Sequence, residues 1–149
     1  MATLHIELAH YPLVLCRLEG EADSLDTLES DLARYTRELL ERRDDFTVVH
    51  DWTAAEELSE EARDAVFDQV IRNPALAQRC LGHFVISSSR RIRTTLTALS
   101  WMRPVSYPVG VTGMPEVALS SARRQLYVRT LDFTSRLERK QAGLNEIGF

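Results

Sequence analysis

Residues 46–66, FTVVHDWTAAEELSEEARDAV, constrain the fold more than any other part of this chain. A short β-branched apolar run stops at His50-Asp51, a polar connection follows, and a helix opens at Ser59-Glu60-Glu61. Val48 and Val49 in succession predict a strand buried on both faces, as in the middle of a parallel sheet. Such a strand reaches a parallel neighbour only through a crossover, usually a helix. The strand-to-helix turn then lies at the carboxyl end of the sheet, where α/β proteins place their sites.

The same switch of period recurs along the chain. Leu4, Ile6 and Leu8 alternate with His5 and Glu7, and an apolar run resumes at residues 13–18 after His10-Tyr11-Pro12. These two strands predict an antiparallel hairpin at one edge. Asp23 or Ser24 is placed to cap a first helix. Its apolar stripe is Leu25, Leu28, Leu32, Tyr35 and Leu39, with Asp31, Arg34, Arg37, Glu38 and Glu41 toward water. The helix opening at Ser59 turns Val66, Phe67, Val70 and Ile71 inward until Asn73-Pro74, with a further helical turn over residues 75–79.

Residues 81–86 read as a fourth strand. Ile92, Leu96 and Leu99 form the stripe of a third helix, with Trp101-Met102 near its end and Pro104 as its stop. Residues 105–111 read as a last strand, irregular at Pro108. Gly113-Met114-Pro115 starts a fourth helix, with Val117, Ala118, Ala122 and Leu126 on its buried face. Beyond Thr130 the pattern weakens. The expected organisation is an α/β domain over residues 1–130 and a C-terminal helical extension over 131–149. The order β-β-α-β-α-β-α-β-α predicts a mixed, mostly parallel sheet layered with helices.

Charge and composition narrow the function classes. A net charge of −4 argues against a nucleic-acid binder, because duplex binding neutralises phosphates with a Lys/Arg excess. No apolar run approaches the roughly 20 residues of a membrane span, and the N-terminus has no secretory pattern, so a cytoplasmic location is expected. Cys16 and Cys80 lie in apolar segments without metal-binding spacing and read as small buried hydrophobes in a reducing compartment. His5, His10, His50 and His83 show no HxxxH or HExxH pattern, and zinc needs three or four convergent ligands, so no metal is expected. His50 and His83 are expected on adjacent strands at different heights. There is no GxSxG motif and no Gly-rich phosphate loop, which argues against an enzyme and against a nucleotide cofactor.

Three polar constellations remain. Ser59 reads as the cap of its helix, with Glu60 and Glu61 complementing the positive end of the helix dipole. His50-Asp51-Trp52 ends a strand, so Trp52 is expected partly exposed as a partner anchor. Asp51 alternatively caps the turn through an Asx-type hydrogen bond, and Trp52 alternatively packs under the following loop. In Ser87-Ser88-Ser89-Arg90-Arg91-Ile92-Arg93, hydroxyls precede a helix whose first turn holds arginines, an arrangement disfavoured by the helix dipole. Ser88, Ser89, Arg90 and Arg93 suit a phosphate or carboxylate; alternatively Ser caps and the arginines pair with Glu56 or Glu57.

The element order, together with an apolar third strand ending in VVHDW before a turn into a helix, resembles the STAS domain, the fold of bacterial anti-sigma factor antagonists. The resemblance covers roughly residues 4–128. In phosphorylated members the turn carries an Asp-Ser-Ser/Thr-Gly type of motif; here it reads Leu58-Ser59-Glu60-Glu61-Ala62, with Glu60 at the hydroxyl and Ala62 at the glycine. The phosphoswitch therefore does not carry over, and one carboxylate copies a phosphate poorly. What the resemblance implies is a non-enzymatic regulatory or protein-interaction module, its surface formed by Asp51, Trp52, Leu58, Ser59 and Glu60. The alternative is a binder of an anionic or lipid-like small ligand at Ser88, Ser89, Arg90 and Arg93, since SEC14-type lipid-transfer folds share this order. A protein partner is expected, and an edge strand or the tail offers a surface for a homodimer.

Overall fold

The computed structural model describes residues 2–20, 26–55 and 57–146. The chain forms β1 (Thr3–Glu7), β2 (Leu13–Glu19), α1 (Asp26–Leu40), β3 (Phe46–Ala54), α2 (Glu60–Val66), β4 (Cys80–Ile86), α3 (Arg90–Met102), β5 (Val109–Thr112) and α4 (Pro115–Glu146). This is the expected order. α2 ends in a wider π turn over Phe67–Ile71, and the Tyr107 hydroxyl donates to the Ile71 carbonyl at its close. The expected caps Asp23 and Ser24 and the stripe residue Leu25 lie outside the described residues.

The five strands lie in chain order, β1-β2-β3-β4-β5. β1 and β2 are antiparallel, and every later pair is parallel. Because the parallel strands advance in one direction, right-handed crossovers place α1, α2 and α3 on one face. The main core sits there. Leu28, Leu32, Tyr35 and Leu39 of α1, Ala62 and Val66 of α2, and Ile92, Leu96 and Leu99 of α3 close over Leu4, Val14, Val48 and Val85. The opposite face is left to α4, whose Ala118 and Ala122 pack on Leu13, Val49, Phe84 and Ile86. β3 lies between the layers, with Val48 and Val49 both buried as their succession predicted.

Close approach of α4 depends on small residues. Phe84 pairs with Gly110 across β4 and β5. A Cβ at Gly110 would lie 2.9 Å from the Phe84 ring, and one at Gly82 2.8 Å from it. Both are shorter than real contacts allow, so the two glycines make room for the ring beneath the helix.

Three expectations are corrected. Val117 is 43% exposed; Leu119 packs on the sheet instead, because the buried face of α4 centres on Ala118, Ala122 and Leu126. Asp31 and Arg34 do not simply face water. The Leu4 N–H donates to Asp31 Oδ2 at 2.9 Å, and Arg34 donates to the Leu4 carbonyl at 3.1 Å. α1 thus covers the backbone edge of β1, which would otherwise offer unpaired groups to another strand. The last strand begins only after Pro108, whose carbonyl accepts from His83 N–H at 2.9 Å, because proline has no N–H for the ladder.

α4 runs unbroken through residue 130. Arg129 ties it to Asp45 at 2.9 Å, and at 1.5 Å per residue the helix beyond Thr130 extends for roughly 24 Å. No helix among the described residues is long and apolar enough to cross a membrane.

Candidate functional site

The carboxyl ends of β3 and β4 sit beside each other, with Asp51 opposite Ile86. Each end leads into a helix, so two helix starts open on the same rim of the sheet.

On the β3 side, the strand runs on to Ala54, beyond the Asp51 end that its apolar run suggested. Strand alternation then turns Trp52 inward beneath α1–α3, and it is 0% exposed. Its expected role as an exposed anchor is thereby overturned; it is a core residue. Asp51 Oδ1 accepts from the Thr53 N–H at 2.8 Å and from the Thr53 hydroxyl at 2.6 Å, the Asx-type arrangement. Leu58 packs half-buried against the main core. Ser59 caps α2: its hydroxyl oxygen accepts from the Ala62 N–H at 3.1 Å. Glu57, Glu60 and Glu61 are exposed in and before the first turn, where carboxylates complement the helix dipole.

On the β4 side, Ser87 is buried. Its N–H donates to the Thr112 carbonyl at 3.0 Å, and its hydroxyl accepts from the Ser89 N–H at 3.2 Å. Ser89 caps α3 by accepting from the Ile92 N–H at 3.3 Å. Arg93 folds back and donates to the Ser87 carbonyl at 2.8 Å, tying the helix to the strand end. Arg90 and Arg91 are exposed, as is Ser88. Among the described residues no ion pair joins these arginines to Glu57, and Glu56, the other expected partner, lies outside them.

A groove of about 410 Å³ runs between α3 and β5, lined by Arg90, Arg93, Thr94, Thr97, Ala98 and Trp101. The two arginines singled out in the sequence line this groove, together with Val111 of β5, which the sequence did not point to. A second hollow, of about 350 Å³, was not anticipated. It lies where α4 leaves the hairpin uncovered, with Leu15 and Val49 as floor and His5, Glu7, Arg17 and Asp51 around it. The signal for it was topological: one helix cannot cover a five-stranded face.

Beneath the rim, His50 and His83 are buried in contact, His50 Nδ1 to His83 Nε2 at 3.4 Å. Register offsets them along the strands, since His83 pairs with Val48 and His50 with Val85, yet the rings span the offset. Burial lowers the His50 pKa to about 3 and holds His83 well below its ordinary value, with His50 adding to the depression. Cys16 and Cys80 are buried and unpaired; burial raises both thiols, Cys80 to about 12. Neither is a nucleophile at neutral pH. Among the described residues no three His, Cys, Asp or Glu side chains converge for a metal.

No family model matches the chain, and no curated protein matches it. Two solved structures do. One is an uncharacterised protein of the DUF3478 family with a SpoIIAA-like fold, from Shewanella loihica PV-4. It is 13% identical over 82% of this chain and 95% of its own, with a TM-score of 0.56. The other is an anti-sigma factor antagonist from Mycobacterium paratuberculosis, 17% identical over 83% and 95%, with a TM-score of 0.54. Identities this low speak to architecture, and the architecture agrees with the strand order and crossovers above: the chain has the SpoIIAA-like fold, that of a divergent STAS-like domain.

Proposed function

We propose that the chain is a non-enzymatic regulatory module that binds another protein through the carboxyl ends of β3 and β4. One observation carries this reading. Two helix starts of opposite charge open on one rim, with Glu57, Glu60 and Glu61 exposed on one and Arg90 and Arg91 on the other. Ser59 and Ser89 are engaged in capping, and Asp51 in its Asx turn, so the rim is held rigid. A rigid surface with both signs of charge suits selection of a partner more than turnover of a substrate. That one structure of like fold is an anti-sigma factor antagonist is in keeping with this. The surface comprises Asp51, Leu58, Ser59 and Glu60 with Ser88 and Arg90; Trp52 supports it from below.

The test is affinity capture by the chain and by two charge reversals, Glu60→Arg/Glu61→Arg and Arg91→Glu. The reading expects each reversal to lose the captured partner while the chain stays folded, with a small drop in melting temperature for Glu60→Arg/Glu61→Arg and none for Arg91→Glu, as the helix dipole dictates. A partner held equally by both variants would contradict it.

The groove beside Arg90 and Arg93 favours a second reading, an anionic small ligand held there with Ser88 and Ser89. Arg93 is already bonded to the Ser87 carbonyl, which leaves Arg90 as the cation able to turn to a ligand. Phosphate or an acyl anion should then raise the melting temperature, and Arg90→Ala should abolish the effect. No shift with either probe would dismiss this reading.

A further inference from the structure

Trp101 and Met102 are the most exposed large hydrophobic residues among those described, 80% and 74% exposed. Both end α3 on the side away from the core. Ile92, Leu96 and Leu99 face inward, which leaves Arg90, Arg91, Thr94, Ala98, Trp101 and Met102 outward. Arg90 and Trp101 are eleven positions apart, close to three turns, so they stand at opposite ends of one row roughly 16 Å long. Between them the row carries only Thr94, Thr97 and Ala98, whose side chains are short enough to let another helix approach closely.

This row is complementary to itself. A two-fold axis through its middle sets a second α3 antiparallel to the first. Arg90 of each copy then meets Trp101 of the other, and Thr94 of each meets Thr97. A guanidinium over an indole is a favourable cation–π contact, strongest where water is excluded. It also gives Arg90 a counterpart that α3 lacks, since a cation at a helix start is opposed by the dipole. Such an interface is isologous: it closes at two copies and leaves no free complementary end. Tryptophan and arginine are the residues that most often dominate interface energetics.

We propose that the outward face of α3 is a homodimer interface, in which Trp101 of each copy covers the α3 row and Arg90 of the other. The dimer and the partner-binding rim share the start of α3, so a second copy and a rim partner compete for Arg90, whereas Glu60 and Glu61 lie outside the row. Trp101→Ala alters no rim residue, so it removes the dimer and leaves capture of a partner in place.

The experiment combines sedimentation velocity with cysteine cross-linking. The purified chain should show a concentration-dependent dimer, and Trp101→Ala should weaken it by about tenfold or more. Arg90→Glu should weaken it less. Because Trp101 is exposed, its loss leaves the fold intact, which a melting curve verifies. Since Cys16 and Cys80 are buried, a cysteine introduced at Thr94 is the accessible thiol. Thr94→Cys sits beside the axis and should oxidise to a covalent dimer much faster than Ser120→Cys on α4. A monomer at all concentrations, a dimer indifferent to Trp101→Ala, or equal cross-linking at Thr94→Cys and Ser120→Cys would overturn the proposal. Dimer loss in Trp101→Ala together with failure of partner capture by that variant as well as by the wild-type chain would retain the dimer and reject the rim.

Discussion

His50 Nδ1 and His83 Nε2 lie 3.4 Å apart in the core between β3, β4 and the helices above them. One ring nitrogen donates and the other accepts. His50 Nε2 and His83 Nδ1 have no hydrogen-bond partner. Two neutral imidazoles in an apolar layer tolerate this arrangement; a charged one does not.

Stability should therefore depend on pH. Both folded-state pKa values are depressed, so below the unfolded value of about 6.5 the unfolded chain binds protons that the folded chain refuses. Stability is complete above that pH and falls as pH drops, by about 1.4 kcal/mol per unit for each histidine, until His50 protonates near its folded value of about 3. Urea unfolding from pH 7.5 to 4.5 should show this slope, and His50→Leu should remove about half of it. A flat profile would show that the pair is solvated.

The two tryptophans should behave oppositely. Trp52→Ala empties the centre of the core and should cost about 3–5 kcal/mol in denaturant unfolding. Trp101→Ala should change monomer stability by less than about 0.5 kcal/mol. In dilute, monomeric protein the fluorescence should combine a blue-shifted, quencher-protected component from Trp52 with an exposed one from Trp101. The second should lose exposure as concentration rises and the dimer forms.

Removing the cap of α2 isolates its structural role. Ser59→Ala should cost about 1 kcal/mol, because the Ala62 N–H loses its acceptor, whereas Ser59→Asp should be nearly neutral. Loss of partner capture in Ser59→Ala beyond what this destabilisation explains would place the hydroxyl itself in the contact.

Packing between α4 and the sheet should be sensitive to one methyl group. Gly82→Ala or Gly110→Ala forces the Phe84 ring aside and should destabilise by about 1–3 kcal/mol. In the Phe84→Leu background the same substitutions should cost less, a coupling that a double-mutant cycle reads directly.

The sequence carried the architecture because its periods switch cleanly. Alternation at Leu4 and Ile6, paired valines at Val48 and Val49, and three-four spacing at Leu28, Leu32, Tyr35 and Leu39 each match one element. Caps were legible for a similar reason, since Ser59 and Ser89 act within three residues of themselves. What was not legible depends on distances along the chain that no local pattern encodes. Trp52 is buried because β3 runs three residues past Asp51. Asp31 and Arg34 turn to the Leu4 backbone because right-handed topology lays α1 over the hairpin edge. The contact of His50 with His83 follows from the register of β3 on β4. The groove under Trp101 follows from where α3 settles against β5.

The claim that the rim at the ends of β3 and β4 meets a protein partner is tested most directly by site-specific photo-cross-linking in the source cells. A photoreactive residue would be placed at Glu60, at Arg91 and, as a control on the opposite face, at Ser120. The account predicts one discrete adduct of the same mass increment from Glu60 and Arg91, and none from Ser120. Adducts from Ser120 alone, or none from any of the three, would contradict it.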